Sequence, residues 1–242
     1  MGIYIFDFDG TLANSMPYFT EAMLAILEKN NITYSRDIIK IITPLGYEGT
    51  AKYYIKELGL DYTIEGLIKE MHKDLYPTYR DRIVLKPHVA EYLHALKKKG
   101  HSLNVLTASP YRMVAPVLKR EMVYDLFDNV WSCEDFGMTK GQPEIYLAAV
   151  ERVGGSIEDT VFFDDNVEAL RTATKAGLFT VGVYDDSSAD YTEELKRISN
   201  KFIYDFSEIY HSAITEAEQV KDYFEAFGVA DQLDWEEERI TI

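Results

Sequence analysis

Short apolar runs alternate with amphipathic stretches along most of this chain, and the alternation is suspended only once, near the N-terminus. Ile3-Tyr4-Ile5-Phe6 reads as a buried strand that stops at Asp7. Leu103–Thr107, Val130–Cys133, Val161–Phe163, Phe179–Val183 and Phe202–Tyr204 have the same character. Between the strands, Val89, Tyr92, Leu93 and Leu96 recur at helical spacing before Gly100. Glu144–Val153 and Val167–Ala176 also read as helices, the second closed by Gly177. Ser109-Pro110 reads as an N-cap followed by proline at the first helical position. A strand followed by a helix returns to its sheet in parallel, through a crossover. The spacing therefore predicts an α/β fold, a parallel sheet with helices on both faces, whose ligands bind beyond the carboxyl ends of the strands.

From about Pro17 to Tyr79 no strand run occurs, while Ile64, Leu67, Ile68, Met71 and Leu75 keep a helical period. Gly46, Gly49 and Gly59 read as turns between helices. The expected organisation is a core of residues 1–15 and 85–213, an all-helical cap over 16–84, and an acidic helical extension over 214–242. In that extension Ala217, Val220, Phe224 and Phe227 suggest an amphipathic helix packed on the core. With 25 basic and 41 acidic side chains the net charge is −16, which argues against nucleic acid or an anionic membrane surface as the main partner. Asp7 cuts the first apolar run far short of a signal peptide or membrane span. Cys133 stands alone, and the five histidines (His72, His88, His94, His101 and His211) lack metal spacing. A cytoplasmic protein, monomeric or weakly dimeric, is the expectation.

The chemistry lies where strands end. Asp7-Phe8-Asp9-Gly10-Thr11 follows the first strand, Thr107 closes the second, and Asp164-Asp165 closes Val161-Phe162-Phe163. Lys140 precedes a helix in Thr139-Lys140-Gly141-Gln142-Pro143. Each is commonplace alone, but a parallel sheet brings all of them to one edge. Three or four carboxylates converging there repel one another unless a cation lies between them. All-oxygen ligands with few protein donors suit Mg2+, which keeps waters and takes substrate phosphate oxygens. A lysine, a threonine hydroxyl and helix N–H groups added to that cluster form a receptor for a tetrahedral dianion. The combination reads as phosphoryl chemistry.

Phe6–Ser15, Lys140–Tyr146 and Phe162–Gly177 resemble the motifs of the haloacid dehalogenase (HAD) superfamily, in the family's order. The chain is similar to the phosphoglycolate-phosphatase and β-phosphoglucomutase-like branch, with a HAD-like Rossmannoid core and a helical cap inserted after the first motif. The resemblance implies a Mg2+-dependent phosphatase of a small phosphorylated metabolite. Asp7 is implied as the nucleophile that forms an aspartyl-phosphate, and Asp9 as the acid and then the base. Thr107 and the Ala108 N–H are implied to bind phosphate, and Lys140 to offset charge. The metal is implied at Asp7, the Asp9 carbonyl and Asp165, with Asp164 beside it.

The chain departs from the common pattern where Asp164 replaces glycine, Ala169 replaces aspartate and His88 replaces glycine. Tyr47, Glu48 and Lys52 on the cap, and Tyr18 and Phe19 after the first motif, are candidates for the substrate side. A phosphomutase remains open as an alternative, as does a non-catalytic phospholigand-binding protein of the same fold. A dehalogenase would leave Asp9 and Asp164-Asp165 without a task.

Overall fold

The computed structural model describes residues 2–213. Six strands form one fully parallel sheet: β1 (Ile3–Phe6), β2 (Ser102–Thr107), β3 (Asn129–Ser132), β4 (Thr160–Asp164), β5 (Phe179–Val183) and β6 (Lys201–Ile203). Their spatial order is β3-β2-β1-β4-β5-β6, so the chain winds outward in both directions from β1. The crevice between β1 and β4 is the topological switch point where such sheets bind ligands. β1 is apolar on both faces because both are covered. Alternation divides its side chains: Phe6 joins Phe163 and Val105 on one face, whereas Ile3 and Ile5 join Phe162 and Leu106 on the other.

Between β1 and β2 lie α1 (Met16–Lys29), α2 (Ile38–Ile42), α3 (Gly46–Lys56) and α4 (Ile64–Asp81), followed by α5 (Val89–Lys98). The remaining helices are α6 (Tyr111–Arg120), α7 (Pro143–Val153), α8 (Val167–Lys175), α9 (Thr192–Ile198) and α10 (Ser207–Ala213). Leu67, Met71, Leu75 and Tyr79 form the buried stripe of α4, which packs on α1, α3 and α6. The chain leaves and rejoins the core as a pair of extended segments. The Asn14 N–H donates to the Val84 carbonyl at 3.0 Å, and the Lys86 N–H donates to the Leu12 carbonyl at 2.8 Å. Lys86 also reaches Asp185 at 2.8 Å, tying the return segment to the end of β5. No helix among the described residues is long and apolar enough to cross a membrane.

Three local expectations change. Gly49 lies inside α3 rather than in a turn, and a Cβ there would sit 2.7 Å from the Leu45 Cβ, so glycine serves close approach. Helix α6 begins at Tyr111 with Pro110 as the flanking residue, and Ser109 makes no capping bond because its hydroxyl is drawn to Asp9. Cys133 falls one residue beyond β3, in the 3-10 turn Cys133–Phe136, where it is a buried free thiol. The expected helix around Ala217–Phe227 and the acidic 214–242 extension lie outside the described residues.

Candidate active site

Asp7 follows β1 directly and is held there by its N–H donating to the Phe163 carbonyl at 2.8 Å. Asp164 ends β4, and Asp165 begins the turn into α8. Oxygen atoms of these three buried carboxylates lie within 4.8 Å of one another. The Lys140 Nζ stands 2.6 Å from Asp7 Oδ1 and 2.7 Å from Asp164 Oδ2. Tyr146 on α7 donates to the Lys140 carbonyl at 2.9 Å, which fixes the loop carrying the lysine. Asp164 also accepts the Asn166 N–H at 2.8 Å, and Asp165 accepts from Thr11 Oγ1 at 3.0 Å.

Burial sets the electrostatics. It pushes the Asp7 carboxyl well above the ordinary carboxylate range, against the pull of Lys140. It also pushes Asp165 up to about 8, helped by the charges of Asp164 and Asp185. Burial alone would lower Lys140, but Asp164 and Asp7 more than offset it and hold the ammonium charged. One ammonium cannot neutralise all three carboxylates once they ionise, which is why burial holds Asp7 and Asp165 toward the protonated form without a further cation. A hard divalent cation with oxygen ligands fits that donor set.

Asp9 does not join this cluster through its carboxylate. Tyr79, from the last turn of α4, donates to Asp9 Oδ1, and the Ser109 hydroxyl donates to Oδ2 at 2.6 Å. The Tyr47 hydroxyl lies 3.3 Å from that of Tyr79 and 3.4 Å from that of Ser109. Three carboxylates therefore converge where as many as four were expected, and the fourth is gripped between cap and core. Gly10 makes this possible. Its φ of +76° turns the chain sharply, and a Cβ there would lie 2.5 Å from Asp165 Oδ2.

A cavity of about 440 Å3 opens above the cluster, and Asp7, Asp9, Thr107, Ala108, Lys140 and Asp165 all line it. Of the cap candidates, Tyr47 and Phe19 reach the cavity. Tyr18 instead lies under the Arg82 guanidinium, and Glu48 and Lys52 form an exposed pair at 2.6 Å. Sequence reasoning missed Tyr79, Ser109 and Asp185. Asp185 carried the same signal as the others, an acid just past a strand, whereas nothing local distinguishes Tyr79 from other tyrosines.

Sheet order, helical insertion and acidic cleft together define a capped, doubly wound α/β protein with three buried carboxylates and one lysine gathered at its switch point. Residues 4–183 match the family described as Haloacid dehalogenase-like hydrolase, and the chain belongs to that family. It is 26% identical over 178 residues to the Phosphorylated carbohydrates phosphatase of Thermotoga maritima, covering 74% of this chain and 82% of that protein. It is 35% identical over 100 residues to the Phosphoglycolate phosphatase of Salmonella typhimurium, covering 41% and 40% respectively. The crystal structure of CbbY from Rhodobacter sphaeroides in complex with phosphate superposes with a TM-score of 0.75 at 18% identity, covering 90% of this chain and 99% of that one. That likeness is one of fold.

Proposed function

We propose that the protein is a Mg2+-dependent phosphatase that hydrolyses a small phosphorylated metabolite through an aspartyl-phosphate on Asp7. The observation that carries this reading is the buried Asp7 carboxylate at the switch point, 2.6 Å from Lys140 and grouped with Asp164 and Asp165. The named activities of the Thermotoga maritima and Salmonella typhimurium relatives point the same way.

Asp7 attacks phosphorus in line, an Asp7 Oδ–P bond forms and the P–O bond to the alcohol breaks. Asp9 gives the departing alkoxide a proton, then takes one from the water that cleaves the acyl phosphate and frees Asp7. Lys140 balances the charge of Asp7 beside the phosphoryl oxygens, while the Thr107 hydroxyl and the Ala108 N–H donate to them. Mg2+ would be held by Asp7, the Asp9 carbonyl and Asp165 with Asp164 adjacent, and it supplies charge neutralisation and orientation. Residues 1–15 and 85–213 act as the catalytic core and 16–84 as the cap.

Asp7→Asn tests the reading. Phosphate release from small phosphomonoesters should fall by at least ~10³-fold, because the nucleophile is gone. The circular dichroism spectrum should stay that of the wild type. Wild-type rates in this variant would remove Asp7 from the role.

A further inference from the structure

The cavity joins two unlike surfaces. Below are the carboxylates and Lys140; above is a cap wall of Met16, Phe19, Leu45, Tyr47 and Tyr79. Leu45, on the 3-10 turn Thr43–Leu45, keeps 42% of its surface exposed, an apolar side chain left facing the cavity. The hydroxyl-bearing Ser187, Ser188 and Tyr191 border the same cavity from the core. Lys140 is the one cation among the described lining residues, and its ammonium already bridges Asp7 and Asp164. Of the cations nearby, Lys52 pairs with Glu48 at 2.6 Å, Lys40 with Asp190 at 3.7 Å and Lys86 with Asp185 at 2.8 Å, while Arg112, whose charge reaches His72, is exposed and does not line the cavity.

The wall brings no charge of its own. Burial raises the Tyr47 hydroxyl, which therefore stays protonated, and the Tyr79 hydroxyl is spent as a donor to Asp9. Behind Tyr47, with ring centroids 4.5 Å apart, His72 is pushed down to about 4 by burial and the Arg112 charge, and so is neutral at pH 7. A phosphoryl group seated on the cluster directs the rest of its molecule against this wall. A carboxylate or second phosphate there would exchange water for aromatic and aliphatic faces with no countercharge among the residues of the wall, a loss that binding does not recover. An uncharged polyol meets a better match, with C–H faces against Phe19 and Tyr47 and hydroxyls against Ser187, Ser188 and Tyr191.

We propose that the cap wall makes this site selective for phosphate monoesters of uncharged, polyol-like alcohols, and that it rejects esters carrying a second anionic group. This rests on the phosphatase reading above. The test compares kcat/KM for glucose 6-phosphate and glycerol 3-phosphate with that for 2-phosphoglycolate and fructose 1,6-bisphosphate. The neutral-alcohol esters should lead by a factor on the order of 100 or more, as expected when a buried charge is left unpaired. Leu45→Arg, a change at a half-exposed position, should raise kcat/KM for 2-phosphoglycolate at least ~10-fold by adding the missing cation. Phosphate release from both sets at similar rates would overturn the selectivity and leave the phosphatase standing. Release from none would overturn both. A neutral preference with no gain in Leu45→Arg would take discrimination away from this wall and overturn the assignment.

Discussion

Replacing Gly10 with alanine would set a methyl carbon where the Asp165 carboxylate now lies. All three carboxyl atoms of Asp165 fall between 2.5 and 2.9 Å from that carbon, well inside ordinary contact distance. The backbone at φ +76° also disfavours any side chain, at a cost of about 1–2 kcal/mol. To make room Asp165 must shift by close to an ångström, which breaks the hydrogen bond from Thr11 Oγ1; leaving a buried polar group unsatisfied costs about 1–3 kcal/mol. The sum is roughly 2–5 kcal/mol, and at 2–4 °C per kcal/mol in a chain of this size Tm should fall by about 4–20 °C. Gly154→Ala is the control. Gly154 has a similar φ of +73° but nothing within 4 Å of the added carbon, so it meets only the backbone cost and should lose about 2–8 °C. Thermal unfolding with and without Mg2+ separates the two effects. Mg2+ should stabilise the wild type and Gly154→Ala alike, and Gly10→Ala little or not at all, because its displaced carboxylate is a proposed ligand. Equal Tm losses and equal Mg2+ responses in the two variants would refute the close packing of Gly10 against a metal-binding Asp165.

The raised carboxyls set a pH dependence. Asp165 titrates near pH 8 in the metal-free fold and near 4 when unfolded, so the stability it confers is complete below pH 4 and lost as pH rises through about 8. Mg2+ must displace that proton; its stabilising shift should therefore be larger at pH 8 than at pH 6, with affinity gaining about tenfold per pH unit below 8 for each proton released. A Mg2+ affinity flat from pH 6 to 8 would contradict the raised carboxyl. Tyr79→Phe removes one of two hydroxyls orienting Asp9. Turnover of alkyl phosphates should fall ~10-fold or more, whereas p-nitrophenyl phosphate, whose leaving group needs no proton, should be nearly unaffected; equal losses on both would assign Tyr79 a purely structural role. His88 holds φ +61° at the start of α5, so His88→Gly should raise Tm by about 2–4 °C in a thermal melt through relief of about 1 kcal/mol of strain, and a lowered Tm would show the His88–Asp205 contact to matter more.

Much of the fold was readable because its signals are local. A parallel strand buried on both faces reads as a near-continuous apolar run, as Val105-Leu106 in β2 and Val161-Phe162-Phe163 in β4 do. Boundaries slipped where local rules compete. Ser109 and Pro110 satisfy the rule for a helix start, yet the half-buried Asp9 carboxylate, a hundred residues away, claims the hydroxyl. Gly49 satisfies the rule for a turn, yet the close approach of Leu45 at the start of the same helix explains it.

Strand ends at Phe6 and Thr107, the Asp164-Asp165 pair closing the fourth strand, and Lys140 ahead of α7 were legible in the order of residues alone, since parallel topology leaves those ends no other edge to share. Which carboxylates meet was decided only by the folded chain. Asp9 turns from Asp7, Asp164 and Asp165 toward Tyr79 and Ser109 because two hydroxyls, 70 and 100 residues away, satisfy a charge that would otherwise add to the repulsion among three. Such a choice depends on distances across the cap–core seam, which no local pattern encodes.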